Sequence, residues 1–144
     1  MKTVIFLFLF CCLLAPGMRS SAQDSGFLIV VNTGNEIEAM EKDQISKIFL
    51  KKITKWANGS RVEPVDLDSQ SPVREAFSRD VHGRSVSSIK NYWQRQIFSG
   101  RDTPPAELES DAKVIQFVSS HPGAIGYVST SANVGNVKVL RISD

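Results

Sequence analysis

The stretch Leu67-Asp68-Ser69-Gln70-Ser71-Pro72-Val73-Arg74-Glu75-Ala76-Phe77 decides how this chain is organised. It follows a short apolar run, Val62 to Val65, that reads as a strand, and it opens a segment that reads as an amphipathic helix. A strand that feeds a helix through a Ser-rich turn leaves the first N–H groups of the helix without internal partners, and the helix dipole adds partial positive charge there. Such a corner suits a small anion, and Arg74 in the first turn would add a full charge and a fork of donors. The same residues also make an ordinary helix start. Ser71 as N-cap with Pro72 at the first helical position needs no ligand. Both readings stand on these residues. The anion reading carries a condition: the helix end must face a cleft, and the Arg74 guanidinium must not be tied to an internal carboxylate.

Outward from this corner, the N-terminus reads as a leader. Met1 and Lys2 supply a positive end, Val4 to Leu14 is an almost unbroken apolar run, and Ser20-Ser21-Ala22 offers the small residues a signal peptidase needs. The run is shorter than the ~20 residues of a membrane span, and no later stretch approaches that length. Phe8-Leu9-Phe10 before Cys11 and Cys12 are too bulky for a lipoprotein processing site. Residues 1–22 are therefore expected to be a signal peptide, and residues 23–144 one exported domain, periplasmic or secreted. Of the 144 residues, 122 would remain, enough for a real core. Both cysteines would leave with the signal, so the core has to hold without disulfides. Lys2 and Arg19 would leave too, bringing the 17 basic residues to 15 against 15 acidic ones. A net charge of zero with no basic run argues against nucleic-acid and polybasic membrane partners.

Gln23 to Gly26 reads as a lead, and Phe27 to Val31 as a strand buried on both faces. Asn32 to Asn35 reads as a turn. Ile45, Ile48 and Phe49 mark the inner face of a helix over 43–50. Lys51, Lys52 and Lys55 form a basic cluster that reads as a solvated face, and Asn58-Gly59 turns the chain into a strand over 61–66. Val73, Ala76, Phe77 and Val81 line the helix after the corner, which stops near His82-Gly83. Ser85 caps a helix carrying Ile89, Tyr92, Trp93, Gln96 and Ile97 on one stripe. Gly100 to Pro105 reads as an irregular connection. Ser110 or Asp111 caps a last helix with Val114, Ile115, Phe117 and Val118 inward, ending at His121-Pro122-Gly123. Ala124 to Val128 reads as a strand with a glycine inside it. Val137 to Ile142 reads as a terminal strand, with Val137, Val139 and Leu140 as its inward candidates. Strands separated by helices predict an α/β layer structure with a mainly parallel sheet flanked by helices. In open sheets of this kind ligands gather at the carboxyl ends of strands, where Ser69 to Arg74 and Asn32 to Asn35 are expected.

Nothing in the sequence asks for catalysis. His82 and His121 are the only histidines, and each falls at a predicted helix end. There is no H-E-x-x-H motif, no metal-spaced carboxylate cluster and no glycine-rich nucleotide loop, so no metal or cofactor is called for. Asp66 and Asp68 would share one strand face about 7 Å apart, but no histidine accompanies them in sequence, and aspartates at a strand end commonly satisfy turn N–H groups. A binding role is expected ahead of an enzymatic one.

Three segments carry a resemblance. Ile45-Ser46-Lys47-Ile48-Phe49-Leu50 through Lys55-Trp56 and Asn58-Gly59 resembles the "IFxGxxxxW-x-(D/N)G" segment of phosphate-type (type II) periplasmic substrate-binding proteins of ABC transporters. Ser71 to Phe77 sits where that family carries its Ser-Gly-Thr-Arg-x-x-Phe phosphate loop, and Pro122 to Val128 is similar to its "PGAIGYV" strand. The resemblance covers nearly all of the expected mature chain, at a length suited to one lobe of a two-lobed binding protein. It implies a module for phosphate or a related oxyanion held by Ser69, Ser71 and Arg74, with a second copy or a partner protein supplying the missing lobe. Pro72 stands in the glycine position and has no N–H; Val73 stands in the threonine position and has no hydroxyl. At about 1.5 to 3 kcal/mol for each hydrogen bond lost to a charged ligand, binding by a monomer should be weak. The alternative is a ligand-free interaction module that keeps the fold, with exposed aromatics such as Trp56 or Tyr92 on its contact face.

Overall fold

The computed structural model describes residues 26–143; the expected signal peptide, residues 1–22, lies outside them. The elements in chain order are β1 (Leu28–Val31), β2 (Ala39–Glu41), α1 (Lys42–Phe49), β3 (Glu63–Leu67), α2 (Pro72–Phe77), a π-helical turn (Ser78–His82), α3 (Val86–Phe98), β4 (Ala106–Leu108), α4 (Asp111–Ser120), β5 (Ala124–Val128) and β6 (Lys138–Ser143). They build one six-stranded sheet in the order β2-β6-β1-β5-β3-β4. The β2–β6, β3–β4 and β3–β5 pairs are parallel, while β1 runs antiparallel to both β5 and β6. The sheet is mainly parallel, and one reversed strand lies between β5 and β6. β3, which enters the Ser69–Arg74 corner, lies between β5 and β4, and all three run the same way.

Burial follows the apolar runs. Every residue of β5 is buried, as are Ile29, Val30 and Val31 of β1, because strands covered on both faces have no polar side to present. Gly126 within β5 is required by packing. A Cβ there would sit 2.7 Å from Val114 Cγ1 and 3.1 Å from Val65 Cγ2, so α4 can lie against β5 only over a glycine. Phe27, Phe49, Phe77 and Tyr127 form an aromatic cluster, in which Phe77 stacks on Tyr127 at 3.9 Å and 5°.

The helix starts follow their sequence signals. Ser71, Ser85 and Ser110 each accept a hydrogen bond from the N–H three residues on, and Gly83 closes the π-helical turn in the left-handed region at φ 63°. Three expectations need correction. β2 and β4 are three-residue strands that no periodicity announced, and β4 begins directly after the expected irregular connection. Val139 points outward at 38% exposure while Leu140 and Val137 are buried, because the strand alternates about Leu140. On α3 the stripe is shorter than expected: Ile89 and Trp93 are buried against Leu50, whereas Ile97 is exposed.

Candidate functional site

The corner forms as its sequence indicates. β3 ends at Leu67, Asp68 Oδ1 accepts from Gln70 N at 2.8 Å in an Asx turn, and Ser71 caps α2 by accepting from Arg74 N at 3.4 Å. Ser69 is half-buried and Ser71 half-buried beside it, so both serines border solvent at the carboxyl end of β3. Arg74 does not. It is 4% exposed, and its guanidinium turns back under the strand. Arg74 Nη1 donates to Leu67 O at 2.6 Å and to Glu107 Oε1 at 3.1 Å, and Nε lies 3.6 Å from Asp66 Oδ1.

The arginine is thus the hub of a polar network inside the sheet edge. Asp66 is buried within β3, and its Oδ1 accepts from the Tyr127 hydroxyl at 2.8 Å; that hydroxyl in turn accepts from Leu67 N at 3.2 Å. Burial pushes the Asp66 carboxyl up to about 6, against the pull of Arg74 and the Tyr127 hydrogen bond, with Glu107 adding a smaller upward push. Burial pushes the Tyr127 phenol up as well, reinforced by the neighbouring Asp66. For Arg74, burial acts to lower its affinity for the proton, but Asp66, Tyr127 and Glu107 outweigh it and hold the guanidinium charged. Glu107 is the one member of the network at the surface, with a side chain 43% exposed. Two carboxylates facing one cation leave the corner with a formal charge of −1 when both are ionised.

His82 closes the far end of this helical segment. Its Nδ1 shares a hydrogen bond with Ser46 Oγ at 2.8 Å, and its ring meets Phe77 edge to face. Burial, with Arg74 and Arg84 nearby, pulls its imidazole down to about 4. The second histidine, His121, stacks on Phe117 at 3.9 Å at the end of α4. Among the described residues no group of three or more His, Cys, Asp or Glu side chains is placed to hold a metal. No helix among them is long and apolar enough to cross a membrane.

The structure therefore brings Ser69 and Ser71 to one rim and sets Arg74 behind it. Asp66 serves Arg74 and Tyr127 rather than turn N–H groups, whereas Asp68 does satisfy such a group. The sequence reading missed Glu107 and Tyr127. Pro104-Pro105 before Glu107 disguised β4, and Tyr127 read as core. Trp56, considered as an exposed aromatic, is buried, with Nε1 donating to Gly123 O at 3.0 Å, and Tyr92 is half-buried.

Solved structures share this architecture. An ABC-type phosphate transport receptor from Vibrio cholerae matches with TM-score 0.65 at 19% identity, over 83% of this chain and 47% of its own. A protein from Clostridium perfringens assigned as a phosphate ABC transporter substrate-binding protein, solved with bound phosphate, matches with TM-score 0.66 at 20% identity, over 81% of this chain and 44% of its own. A possible phosphate binding protein from Planctomyces limnophilus matches with TM-score 0.63 at 20% identity, over 83% and 42%. At such identities the likeness is one of fold, and the chain spans less than half the length of these relatives. No curated protein matches the chain in sequence. The sequence model of the PBP superfamily domain matches residues 19–143, nearly the whole chain, and with the α/β lobe described above this assigns the protein to the PBP superfamily.

Proposed function

We propose that this chain is an exported, one-lobe solute-binding module that takes phosphate or a related small oxyanion at the corner formed by Ser69, Ser71 and Arg74. The observation that carries the reading is that Ser69 and Ser71 border solvent at the carboxyl end of β3 while Arg74, behind them, shares Nη1 with Glu107, its one exposed side-chain partner. The pairing of Arg74 with Asp66 fails the condition set by the sequence, so any oxyanion is held only weakly and in exchange for Glu107. An oxyanion approaching over the two serines displaces the Glu107 carboxylate and takes its bond to Nη1. The fold of the phosphate-binding relatives supports this placement. Affinity is low, because Pro72 and Val73 offer neither an N–H nor a hydroxyl, and because the ligand meets Asp66 behind the guanidinium.

A second reading has its own observation. With Asp66 and Glu107 already neutralising Arg74, the corner meets the stated condition against a captured anion: its arginine is tied to an internal carboxylate. The chain then keeps the binding-protein fold without the ligand and works by holding a protein partner, for which Phe98, 91% exposed beside Ile97 at the end of α3, offers an apolar contact. Isothermal titration with phosphate separates the two. The oxyanion reading expects millimolar binding by the wild type and a gain of about tenfold in Glu107→Gln, which keeps a neutral side chain in place of the competing charge. Absence of heat in both proteins at millimolar phosphate leaves the second reading.

A further inference from the structure

The opposite end of β3 opens on a cleft of about 340 Å³. Its apolar wall is Ile48, Ile53, Val62 and Pro64, and its charged groups are Lys51, Lys55, Arg61 and Asp102, a formal charge of +2. Two features of these cations run against the ordinary preferences of a chain. Lys51 holds φ at 55°, the only described residue other than glycine with a positive φ, at the turn where Lys51 N donates to Ile48 O and Lys52 N to Lys47 O behind α1. Lys55 and Arg61 are partners in an isolated antiparallel bridge, which sets two like charges directly opposite each other on one face. Among the described residues neither has a carboxylate within ion-pair distance, and the only ion pair in the cleft is Lys51 Nζ to Asp102 Oδ1, at 3.7 Å. The left-handed turn at Lys51 is held by its own backbone hydrogen bonds and fixes where that cation stands, whereas the facing of Lys55 and Arg61 is unfavourable without a ligand. An anion between the three cations removes the repulsion.

We propose that this cleft binds a small organic dianion, with the charged head between Lys51, Lys55 and Arg61 and a body about the size of one ring against Ile53, Val62 and Pro64. The volume lies at the lower end of the range for small-molecule sites, and the apolar wall favours an organic anion over an inorganic one. On binding, the head takes over Lys51 from Asp102. The site shares no residue with the Ser69–Arg74 corner and does not depend on it.

Phenyl phosphate is a suitable probe at about pH 7.5, where its phosphate is dianionic. In a titration followed by amide signals of the protein, phenyl phosphate is expected to move Thr54, Lys55, Gly59 and Arg61 with half-saturation below about 1 mM, at least tenfold tighter than inorganic phosphate at the same residues. Phenol, which lacks the charge, is expected to leave them in place. Inorganic phosphate at the corner would instead move Ser69 to Arg74, so failure of one site is read separately from failure of the other. The double variant Lys55→Gln/Arg61→Gln is expected to weaken phenyl phosphate by tenfold or more, by about 1.4 kcal/mol per factor of ten. Lys51→Gly, which relieves the left-handed conformation, is expected to raise Tm by about 3 °C while weakening the probe about fivefold. Signals at the cleft that stay still at about 10 mM phenyl phosphate, or that respond equally to phenol, overturn the proposal, as does undiminished affinity in the double variant or in Lys51→Gly.

Discussion

The two ends of β3 carry cations in opposite circumstances. At the carboxyl end Arg74 is buried and held by Leu67 O, Asp66 and Glu107. At the amino end Lys55 and Arg61 are exposed, face each other, and have no carboxylate partner among the described residues. The end that sequence reasoning marks for an anion is therefore the end whose charge the protein has already balanced. What decides the availability of a cation is which carboxylates the tertiary structure sets beside it; a Ser-rich turn before a helix does not decide it.

The largest test of this contrast is removal of Arg74. Arg74→Leu removes the cation that holds the buried Asp66 carboxyl down, so this group must take up a proton or stay unpaired, and the bonds to Leu67 O and Glu107 are lost as well. The expected cost is about 3 to 5 kcal/mol in urea unfolding at neutral pH. Adding Asp66→Leu should recover a substantial part of that loss, because much of the penalty is the buried carboxyl left without its cation. A loss below about 1 kcal/mol in the single variant would mean that the arginine is not internally committed, and the contrast between the two ends would fall.

Acid probes the corner next. Asp66 has its folded pKa raised to about 6, so the folded state holds its proton more tightly than the unfolded chain. Its contribution is fully present below the unfolded value near 4 and is lost as pH rises through about 6. His82 has its folded pKa lowered to about 4, so its contribution is present above the unfolded value of 6.5 and is lost as pH falls through about 4. Each is worth roughly 3 kcal/mol, with opposite sign, and the two nearly cancel between pH 4 and 6. The wild type should hold an almost flat stability across that window. His82→Asn should gain stability on acidification, and Asp66→Asn should lose it; denaturant midpoints at three or four pH values read both slopes.

The smallest effects belong to the other end of the strand. Lys55→Gln and Arg61→Gln are exposed substitutions, each expected within about 0.5 kcal/mol of wild type in urea unfolding. The sign should be toward stabilisation, because each removes one of two like charges across the bridge. A clear destabilisation would show that these cations contribute to the fold and would narrow the difference between the ends.

Much of this was legible beforehand. Ser71 and Pro72 start α2, Ser85 starts α3 and Ser110 starts α4, because a capping hydroxyl works within three residues of its target. Gly83 ends the helical segment and Gly126 lies inside a strand, both as the sequence suggested, while the burial of every residue of that strand came only with the structure. β2 and β4 were not legible, since three residues at a sheet edge carry too little pattern to separate from loop. With β4 went Glu107, 33 positions from the arginine it meets, and with β5 went the polar role of Tyr127, 61 positions from Asp66.

By itself, then, the sequence determined the local grammar of this protein: the caps, the turns, the buried run of β1, the strand at β5, the α/β layering and the binding-protein resemblance. The tertiary structure alone decided which charges are free. Periodicity and capping act over a few residues of chain, whereas the balance at Arg74 and its absence at Lys55 and Arg61 arise from groups brought together by the order of strands in the sheet, and Coulomb energy depends on their distance in space.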